Sequence, residues 1–405
     1  MTFNVREVAL GEVCEIKQGR YLAPNQMEPI PNEECLVPVI GGNGVLGYTD
    51  KSTYSYPVPL VTCRGSKCGL MQWAEHPTWI SNNAMAVYFK ENQGDNFFLH
   101  QYLLNSSFDD VITGSAQPQI TVSSLSLKRI MLPDLQTQKA ISSIMKNIDR
   151  KILINEALSR NLESIAQSIF KSWFIDFDPV HAKSRGEKPF GMDDETAELF
   201  PDSFEDSELG MIPKGWEFEN ITNFAQIRFG APFSSALFNT SGEGNPLIRI
   251  RDLKNQATNI STTEAHSKGF LAKPGDLLVG MDGEFTPVVW FGDPSLVNQR
   301  ICMFEPINQV HNFYLYFNLI PLMKQIEHGA AGTTVIHLSK GELDSISLLQ
   351  PGSELLDHFK SIVSPICLQM ASVMNQNRRL SRLRDLLLPK LISGELQIPE
   401  ELLVT

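Results

Sequence analysis

Residues 135–174 read LQTQKAISSIMKNIDRKILINEALSRNLESIAQSIFKSWF, and their pattern organises the whole chain. One set of positions recurs every seven residues, at Ile141, Ile148, Asn155, Leu162 and Ile169. A second, interleaved set comprises Ile144, Lys151, Leu158 and Ile165. Neither proline nor glycine interrupts the stretch. Sustained heptads of this kind predict one long helix that pairs through a coiled-coil seam.

The same pattern returns about 218 residues later, which indicates an internal repeat. The second set of heptads is Phe359, Ile366, Val373, Leu380 and Leu387, interleaved with Ile362, Gln369, Gln376 and Leu383. At the same shift Gly114 falls on Gly332 and Pro133 on Pro351, whereas Gly19 matches Gly230 at a shift of 211. Each helix needs a second apolar stripe, so the two helices are predicted to pair with each other, antiparallel. Polar seam residues such as Asn155 and Gln376 can specify the register of the helix pair. A helix with one solvated polar patch is an equally good interpretation.

The region before each helix alternates short apolar runs with Gly, Pro and Asn, which is typical of strands and turns. The predicted strands are Leu36–Ile40, Pro59–Thr62, Ala84–Phe89, Leu247–Ile250, Asp276–Val279 and Gln299–Phe304. The predicted fold class is therefore α+β, with two α/β domains related by the repeat and separated by two long antiparallel coiled-coil helices. The predicted boundaries are a first domain at 1–133, a helical spacer at 134–178, an acidic linker at 179–210, a second domain at 211–350 and a second helical spacer at 351–397.

Composition excludes several classes of protein. Apolar residues make up 42% and charged residues 20% of the 405, which is an ordinary globular balance. No apolar run approaches the length of a membrane span, and Arg6, Glu7 and Glu12 interrupt any signal-peptide core. Six cysteines in a chain of this length are not a disulfide framework. We therefore expect a cytoplasmic protein that does not associate with membranes.

The net charge of −12 is concentrated in one block. Eleven acidic residues lie between Glu187 and Glu219, and only two lysines oppose them. Such a block is typical of a solvated connector, and it says little about the charge of surfaces elsewhere. The acidic balance therefore does not exclude nucleic acid as a partner.

Catalytic motifs are either absent or in the wrong context. The Gly42–Gly47 segment has the spacing of a dinucleotide loop, but turn and strand residues follow it instead of a helix. Asp134, Asp149 and Lys151 imitate a nuclease core, yet the last two lie on different faces of the predicted helix. Cys63 and Cys68 have no second pair at zinc spacing. The chain also lacks the P-loop, the G-x-S-x-G elbow and the Asn/Asp-Pro-Pro-Tyr/Phe tetrapeptide, so we expect no catalysis, metal or cofactor in this chain.

Basic and amide side chains recur on the loops of both predicted domains. Arg and Gln are suited to bidentate contacts with guanine and adenine in the major groove. Any one of these residues taken alone is better interpreted as a solvated loop residue. Their recurrence in both copies is what favours a DNA-binding role for the group. The candidate DNA-binding residues are Lys17, Gln18, Arg20, Arg64, Lys67, Gln117, Gln119, Arg228, Arg249, Arg251, Thr333 and His337.

Four segments give the chain a resemblance to the specificity subunits of Type I restriction–modification systems. They are Leu132-Pro133 with Gln138 and the helix behind it, the run 170–179 (FKSWFIDFDP), the run 209–216 (LGMIPKGW) and the run 383–395 (LRDLLLPKLISGE). The resemblance covers essentially the whole chain. The second copy departs from it, because 349–354 reads LQPGSE and the expected glutamine is missing.

The resemblance implies two target-recognition domains that read the halves of a bipartite double-stranded DNA site. It also implies partner subunits. Two modification (methyltransferase) subunits would bring S-adenosylmethionine and methylate adenine, and restriction/translocase subunits would bring ATP and Mg²⁺. This chain would bind none of these cofactors. Two other classes stay open at this point, namely a scaffold that binds protein and, less favoured, a nuclease or methyltransferase acting alone.

Overall fold

A computed structural model describes residues 5–114, 117–208, 210–307, 310–329 and 337–399. The chain divides into two compact units. One contains the residues up to Ile152 together with those from Arg379 onward, and the other runs from Leu153 to Arg378. Each unit therefore combines one α/β part with portions of both long helices, α4 (Leu135–Phe174) and α10 (Ser353–Ile392).

The first unit is built on a four-stranded antiparallel sheet in the order β2-β8-β5-β6. A three-stranded sheet, β4-β3-β7, and the antiparallel pair β1-β9 complete it. The strands are β1 Arg6–Ala9, β2 Cys14–Gln18, β3 Val37–Gly41, β4 Gly44–Thr49, β5 Val58–Thr62, β6 Met71–Ala74, β7 Trp79–Ile80, β8 Ala84–Phe89 and β9 Arg129–Leu132. The short helices are α1 Leu10–Val13, α2 Asn96–Leu104 and α3 Val122–Ser126.

The second unit repeats this plan. Its sheet β13-β21-β18-β19 corresponds to β2-β8-β5-β6, the pair β12-β22 corresponds to β1-β9, and the parallel pair β15-β20 corresponds to β3-β7. The strands are β10 Phe204–Ser207, β11 Gly210–Pro213, β12 Glu217–Asn220, β13 Ala225–Phe229, β14 Phe238–Asn239, β15 Asn245–Ile248, β16 Ser261–Thr262, β17 Leu271–Ala272, β18 Leu277–Gly280, β19 Pro287–Val289, β20 Ser295–Val297, β21 Ile301–Pro306 and β22 Ser347–Gln350. The helices are α5 Asp178–Ser184, α6 Asp194–Glu198, α7 Ile250–Leu253, α8 Asn312–Gly329 and α9 Lys340–Asp344.

The repeat and the fold class predicted from the sequence are confirmed. Each of the six predicted strands corresponds to an observed strand, with ends that differ by at most a few residues. Helix α4 begins after Asp134, whose carboxylate accepts hydrogen bonds from the Thr137 backbone N–H and hydroxyl at 2.9 Å each. Such capping satisfies donors that the first helical turn leaves without partners. Helix α10 continues through Pro365, and the hydroxyl of the preceding Ser364 donates to the Lys360 carbonyl at 2.7 Å.

Each unit has its own hydrophobic core, to which the long helices contribute. In the first unit, Ile141 of α4 and Leu388 of α10 are buried with strand residues such as Val87. In the second unit, Phe170 of α4 and Phe359 of α10 are buried with residues of the four-stranded sheet β13-β21-β18-β19. Within each unit the early part of one helix faces the late part of the other. The two helices are therefore antiparallel. In the second unit Asn155 is hydrogen-bonded to Gln376, and the Trp173 ring stacks on the His358 ring.

The stretch predicted as an acidic linker, 179–210, has secondary structure of its own and packs onto the second unit. Val180 and Phe200 are buried in the core of that unit. The Lys183 ammonium donates to the Ala197 carbonyl at 2.8 Å, which ties α5 to α6. The acidic side chains remain outside, so a high charge density did not prevent folding here. No helix in the described ranges is long and apolar enough to cross a membrane.

Candidate nucleic-acid interface

Loops of the first unit converge where the ends of β2, β5 and β7 meet. The Gly19 backbone N–H donates to the Ala84 carbonyl at 3.0 Å, and that of Arg20 donates to the Ile80 carbonyl at 2.8 Å. A Cβ on Gly19 would lie 2.1 Å from the Ser81 carbonyl oxygen, so only glycine allows this approach. The loop that presents Arg20 is therefore held against the β7–β8 turn by its backbone.

The segment at 113–120 joins the same edge. The Ile120 N–H donates to the Cys63 carbonyl at 2.9 Å, and the Gly65 N–H donates to the Pro118 carbonyl at 3.3 Å. Thr113 and Gln119 exchange backbone hydrogen bonds at 2.8 and 2.9 Å, and Gln119 also forms a β-bridge with Arg64. The backbone therefore brings together two residues, Arg64 and Gln119, that are 55 positions apart in the sequence.

Five of the predicted side chains on this edge project into solvent: Arg20, Arg64, Lys67, Gln117 and Gln119. Over the described part of the chain, no carboxylate comes within ion-pair distance of the three cationic ones, whose charges are therefore not neutralised. Uncompensated Arg and Lys beside amide side chains form a surface that can contact both phosphates and base edges. We name these five residues the first reading edge.

Lys17 and Gln18 are instead engaged with their own unit. The Lys17 ammonium lies 2.6 Å from a Glu15 carboxylate oxygen and 5.3 Å from the centre of the Tyr88 ring. Its hydrogen bond to Glu15 raises the pKa of Lys17 above the usual value. Gln18 donates to the Asn82 carbonyl at 2.6 Å, and its Nε2 lies 3.2 Å from Cys63 Sγ. Gln18 therefore ties the end of strand β2 to the segment before β8, whereas the Lys17 ammonium stays at the surface.

The second unit has the same backbone skeleton at the equivalent place. The Gly230 N–H donates to the Ile301 carbonyl at 2.9 Å, as Gly19 does to Ala84. A Cβ on Gly230 would again lie 2.1 Å from a carbonyl oxygen, that of Asn298. The Leu338 N–H donates to the Met281 carbonyl at 2.8 Å, which is the counterpart of the bond from Ile120 to Cys63. Asp282 forms a β-bridge with His337, which is the counterpart of the bridge between Arg64 and Gln119. His337 is therefore the structural counterpart of Gln119, in agreement with the sequence repeat.

The predicted residues of the second unit have diverse surroundings. Arg228 corresponds to Lys17 and is likewise engaged, 3.4 Å from Glu305 and 4.2 Å from the centre of the Phe270 ring. Arg249 makes two bonds to the Asp252 carboxylate, at 2.9 and 3.1 Å, and so stabilises the start of α7. Arg251 is exposed on α7, whereas Thr333 lies outside the described residues.

The sequence interpretation missed Asp282 and Arg300. Nη1 of Arg300 lies 2.8 Å from one Asp282 carboxylate oxygen, and Nδ1 of His337 lies 2.7 Å from the other. In the first unit the counterparts of Asp282, Arg300 and His337 are Arg64, Asn83 and Gln119, at shifts of 217–218. Reading the repeat residue by residue at these shifts would have found both. We name Asp282, Arg300 and His337 the second reading edge.

The motifs rejected from the sequence have structural roles. Gly41–Gly44 turns between β3 and β4, with Gly44 at φ +103°, and no helix follows it. Asp149 is paired with Arg384 at 3.0 Å across the helix pair. The six thiols are all unpaired, and burial raises the pKa of Cys63. Within the described ranges, no group of three His, Cys, Asp or Glu side chains is placed to hold a metal ion.

Comparison with known proteins identifies the family. The model of the Type I restriction modification DNA specificity domain matches residues 4–164 and again 213–354, which together exceed half of the chain. The specificity subunit of a Type I restriction enzyme from Haemophilus influenzae is 29% identical over 330 residues, covering 69% of this chain and 71% of the relative. The corresponding subunit from Methanocaldococcus jannaschii is 26% identical over 302 residues, covering 72% and 66%.

A solved structure supports the fold over nearly the whole length. The crystal structure of the S subunit of a Type I restriction–modification system from M. genitalium superposes with a TM-score of 0.62. The alignment covers 96% of each chain at 16% identity. With two matches to the family model, one in each copy of the repeat, the chain belongs to the family of Type I restriction–modification DNA specificity subunits.

Proposed function

We propose that this chain is a non-catalytic reader of double-stranded DNA, which gives a Type I restriction–modification complex its sequence specificity. Each unit would contact one half of a bipartite target through its reading edge. One observation carries the proposal, namely that a single backbone skeleton is built twice and displays different side chains. A duplicated scaffold with divergent amide and guanidinium groups suits recognition of two different short sequences.

The chemistry would reside on partner subunits. In this proposal two modification subunits bring S-adenosylmethionine and methylate adenine, while restriction/translocase subunits supply ATP-driven activity with Mg²⁺. The complex would act in the cytoplasm. The chain's own contribution would be affinity and selectivity, supplied by cations such as Arg20, Arg64 and Lys67 that have no neutralising carboxylate in the described parts of the structure.

A salt titration tests the proposal against a protein-binding scaffold. The target sequence is first identified as the sequence that is methylated in the host genome. The full chain, assembled with its modification subunits, is then titrated with duplexes that contain this sequence and with duplexes that lack it. We expect tighter binding to target duplexes and a steep fall in affinity with rising salt, because phosphate contacts release counterions. Equal binding of all duplexes, or affinity that salt does not change, would contradict DNA recognition.

The non-catalytic role needs a separate measurement. The isolated chain is incubated with target duplex, Mg²⁺ and S-adenosylmethionine, and both strand cleavage and methyl transfer are followed. We expect neither reaction until modification subunits are added, after which adenine methylation begins. Turnover by the pure chain would show that it is itself an enzyme.

A further inference from the structure

The second reading edge differs from a simple basic surface because its guanidinium is paired with a carboxylate. Arg300 is 54% exposed, yet its Nη1 is held by an Asp282 oxygen at 2.8 Å. The other Asp282 oxygen is 2.7 Å from Nδ1 of His337, and the Asp282 side chain is only 23% exposed. The carboxylate therefore stands between two groups that project outward, and it limits the directions that Arg300 can take.

Asp282 itself is held by the backbone from two sides. It forms a β-bridge with His337, and the neighbouring Met281 receives the Leu338 N–H at 2.8 Å. The Met281 N–H in turn donates to the Arg300 carbonyl at 2.9 Å. All three residues of the edge are thus joined through backbone hydrogen bonds as well as side chains, which gives a preorganised arrangement. Stability alone is a weak reason for it, since exposed ion pairs contribute little to folding.

A guanidinium oriented by a carboxylate matches one base better than the others. Guanine presents two acceptors, N7 and O6, in the major groove, and Arg donates to both at once. With Nη1 oriented by Asp282, the remaining N–H groups of the planar guanidinium have a restricted range of directions, so less entropy is lost on binding. The structural counterpart in the first unit is Asn83, an exposed amide that suits adenine instead. The two units therefore differ in base chemistry at one equivalent position.

We propose that Arg300, positioned by Asp282 and His337, recognises a guanine in the half-site that the second unit reads. This inference rests on the proposed DNA-reading function and adds a specificity-determining residue to it. Asp282 is a positioning residue in this account, because it would act through Arg300 and not through the base. The guanine contact would thus depend on both the fork-shaped side chain and the carboxylate behind it.

The test uses a pool of duplexes with randomised bases, selected by the full chain in complex with its modification subunits and then sequenced. The variants are Arg300→Ala, Arg300→Lys and Asp282→Asn, and Lys324→Ala on α8 is the matched control for loss of an exposed cation. We expect the wild-type complex to select guanine at one position of the second half-site. Arg300→Lys keeps the charge and should still lose about ten-fold in guanine preference there, because a flexible lysine ammonium lacks the planar fork that Asp282 orients.

Asp282→Asn should weaken the same preference while leaving every other position and the first half-site unchanged. A loss of affinity that is uniform across sequences would instead make Arg300 a phosphate contact and overturn the proposal. An unchanged preference in the Arg300 variants would overturn it as well. A wild-type complex that selects no sequence at all would contradict the DNA-reading function itself, and with it this proposal. Thermal unfolding of each variant separates these outcomes from a loss of fold.

Discussion

Gln138 shows how much one buried side chain can organise. It is 1% exposed, accepts a hydrogen bond from the Asp95 N–H at 2.9 Å and donates to the Pro133 carbonyl at 2.8 Å. It therefore ties the start of α2 to the turn before α4. At the equivalent place the second unit has Leu356, also buried, so apolar packing replaces this polar bridge. The missing glutamine of the second copy is thus a change of chemistry at a position that stays in the core.

Gln119 is the residue of the first reading edge whose role can be tested most cleanly. Its backbone is held by Thr113 and by the bridge to Arg64, so removal of the exposed amide should leave the fold intact. If the amide contacts a base, Gln119→Ala should cost about 1–3 kcal/mol of binding and relax one position of the site. Gln117→Ala is the parallel variant on the same loop. Competition binding with single-base-substituted duplexes makes the measurement, and uniform weakening on all duplexes would argue against base contact.

A buried histidine, His100, and a partly buried one, His311, should make stability depend on pH. Burial lowers the pKa of His100 to about 4, and burial together with Lys360 lowers the pKa of His311 to about 4. The unfolded chain binds these protons near pH 6.5, so the stability is complete above that pH and is lost as pH falls toward 4. Between pH 7.5 and 5.5 each histidine should cost about 1 kcal/mol of unfolding free energy.

Urea unfolding of His100→Phe at both pH values checks this expectation. The aromatic replacement suits the surroundings, because Trp73 and Phe97 lie 5.5 and 6.3 Å from the imidazole, centre to centre. The variant should lose less stability than the wild type on acidification. His76→Phe, at an exposed position, should retain the full pH dependence. Identical pH dependence in both variants would mean that His100 does not contribute.

At the scale of the helices, one of the two predicted heptad sets is correct and the other is displaced by one residue. The buried seam of α4 includes Ile141, Met145 and Ala166, whereas Leu158 and Ile165 are 38% and 51% exposed. In α10, Leu383 is likewise exposed, whereas Val363 and Met370, each one residue after a predicted position, are buried. Residues three and four positions further along a helix both lie on the same face, so the sequence leaves two choices for the next seam residue. An apolar side chain on the outer face is therefore easily assigned to the seam. The small side chain of Ala166 gave no hydrophobic signal, although it allows close packing.

Asn155 should specify how the two helices align within the second unit. It is 1% exposed, and its Nδ2 donates to Gln376 Oε1 at 2.7 Å and to Asn377 Oδ1 at 2.8 Å. Asn155→Ala leaves these acceptors without this donor and should destabilise the chain by about 1–3 kcal/mol. Asn161→Ala, on an exposed face of the same helix, is the matched control and should change the unfolding free energy little. Equal urea midpoints for the two variants would show that the buried amide is dispensable.

Duplication explains why so much of the architecture could be predicted. A shift of 218 residues places Pro133 on Pro351 and one long helix on the other, so secondary structure and pairing follow from a single pattern. The candidate DNA-binding residues were harder to predict, because Arg249 is bound to Asp252 and the guanidinium of Arg300 is oriented by its ion pair with Asp282. Long-range backbone bonds bring these groups together, and local sequence does not reveal them.

A domain exchange shows whether two separate readers share one chain. Residues 1–131 are replaced by the corresponding part of a relative with a different target, while both long helices are retained because Ile141 and Leu388 belong to the first core. Methylated adenines are then mapped in cells that carry the complex. We predict that one half-site changes to that of the donor and that the other stays as it was. If both half-sites change together, the two units do not read DNA independently and the account is wrong.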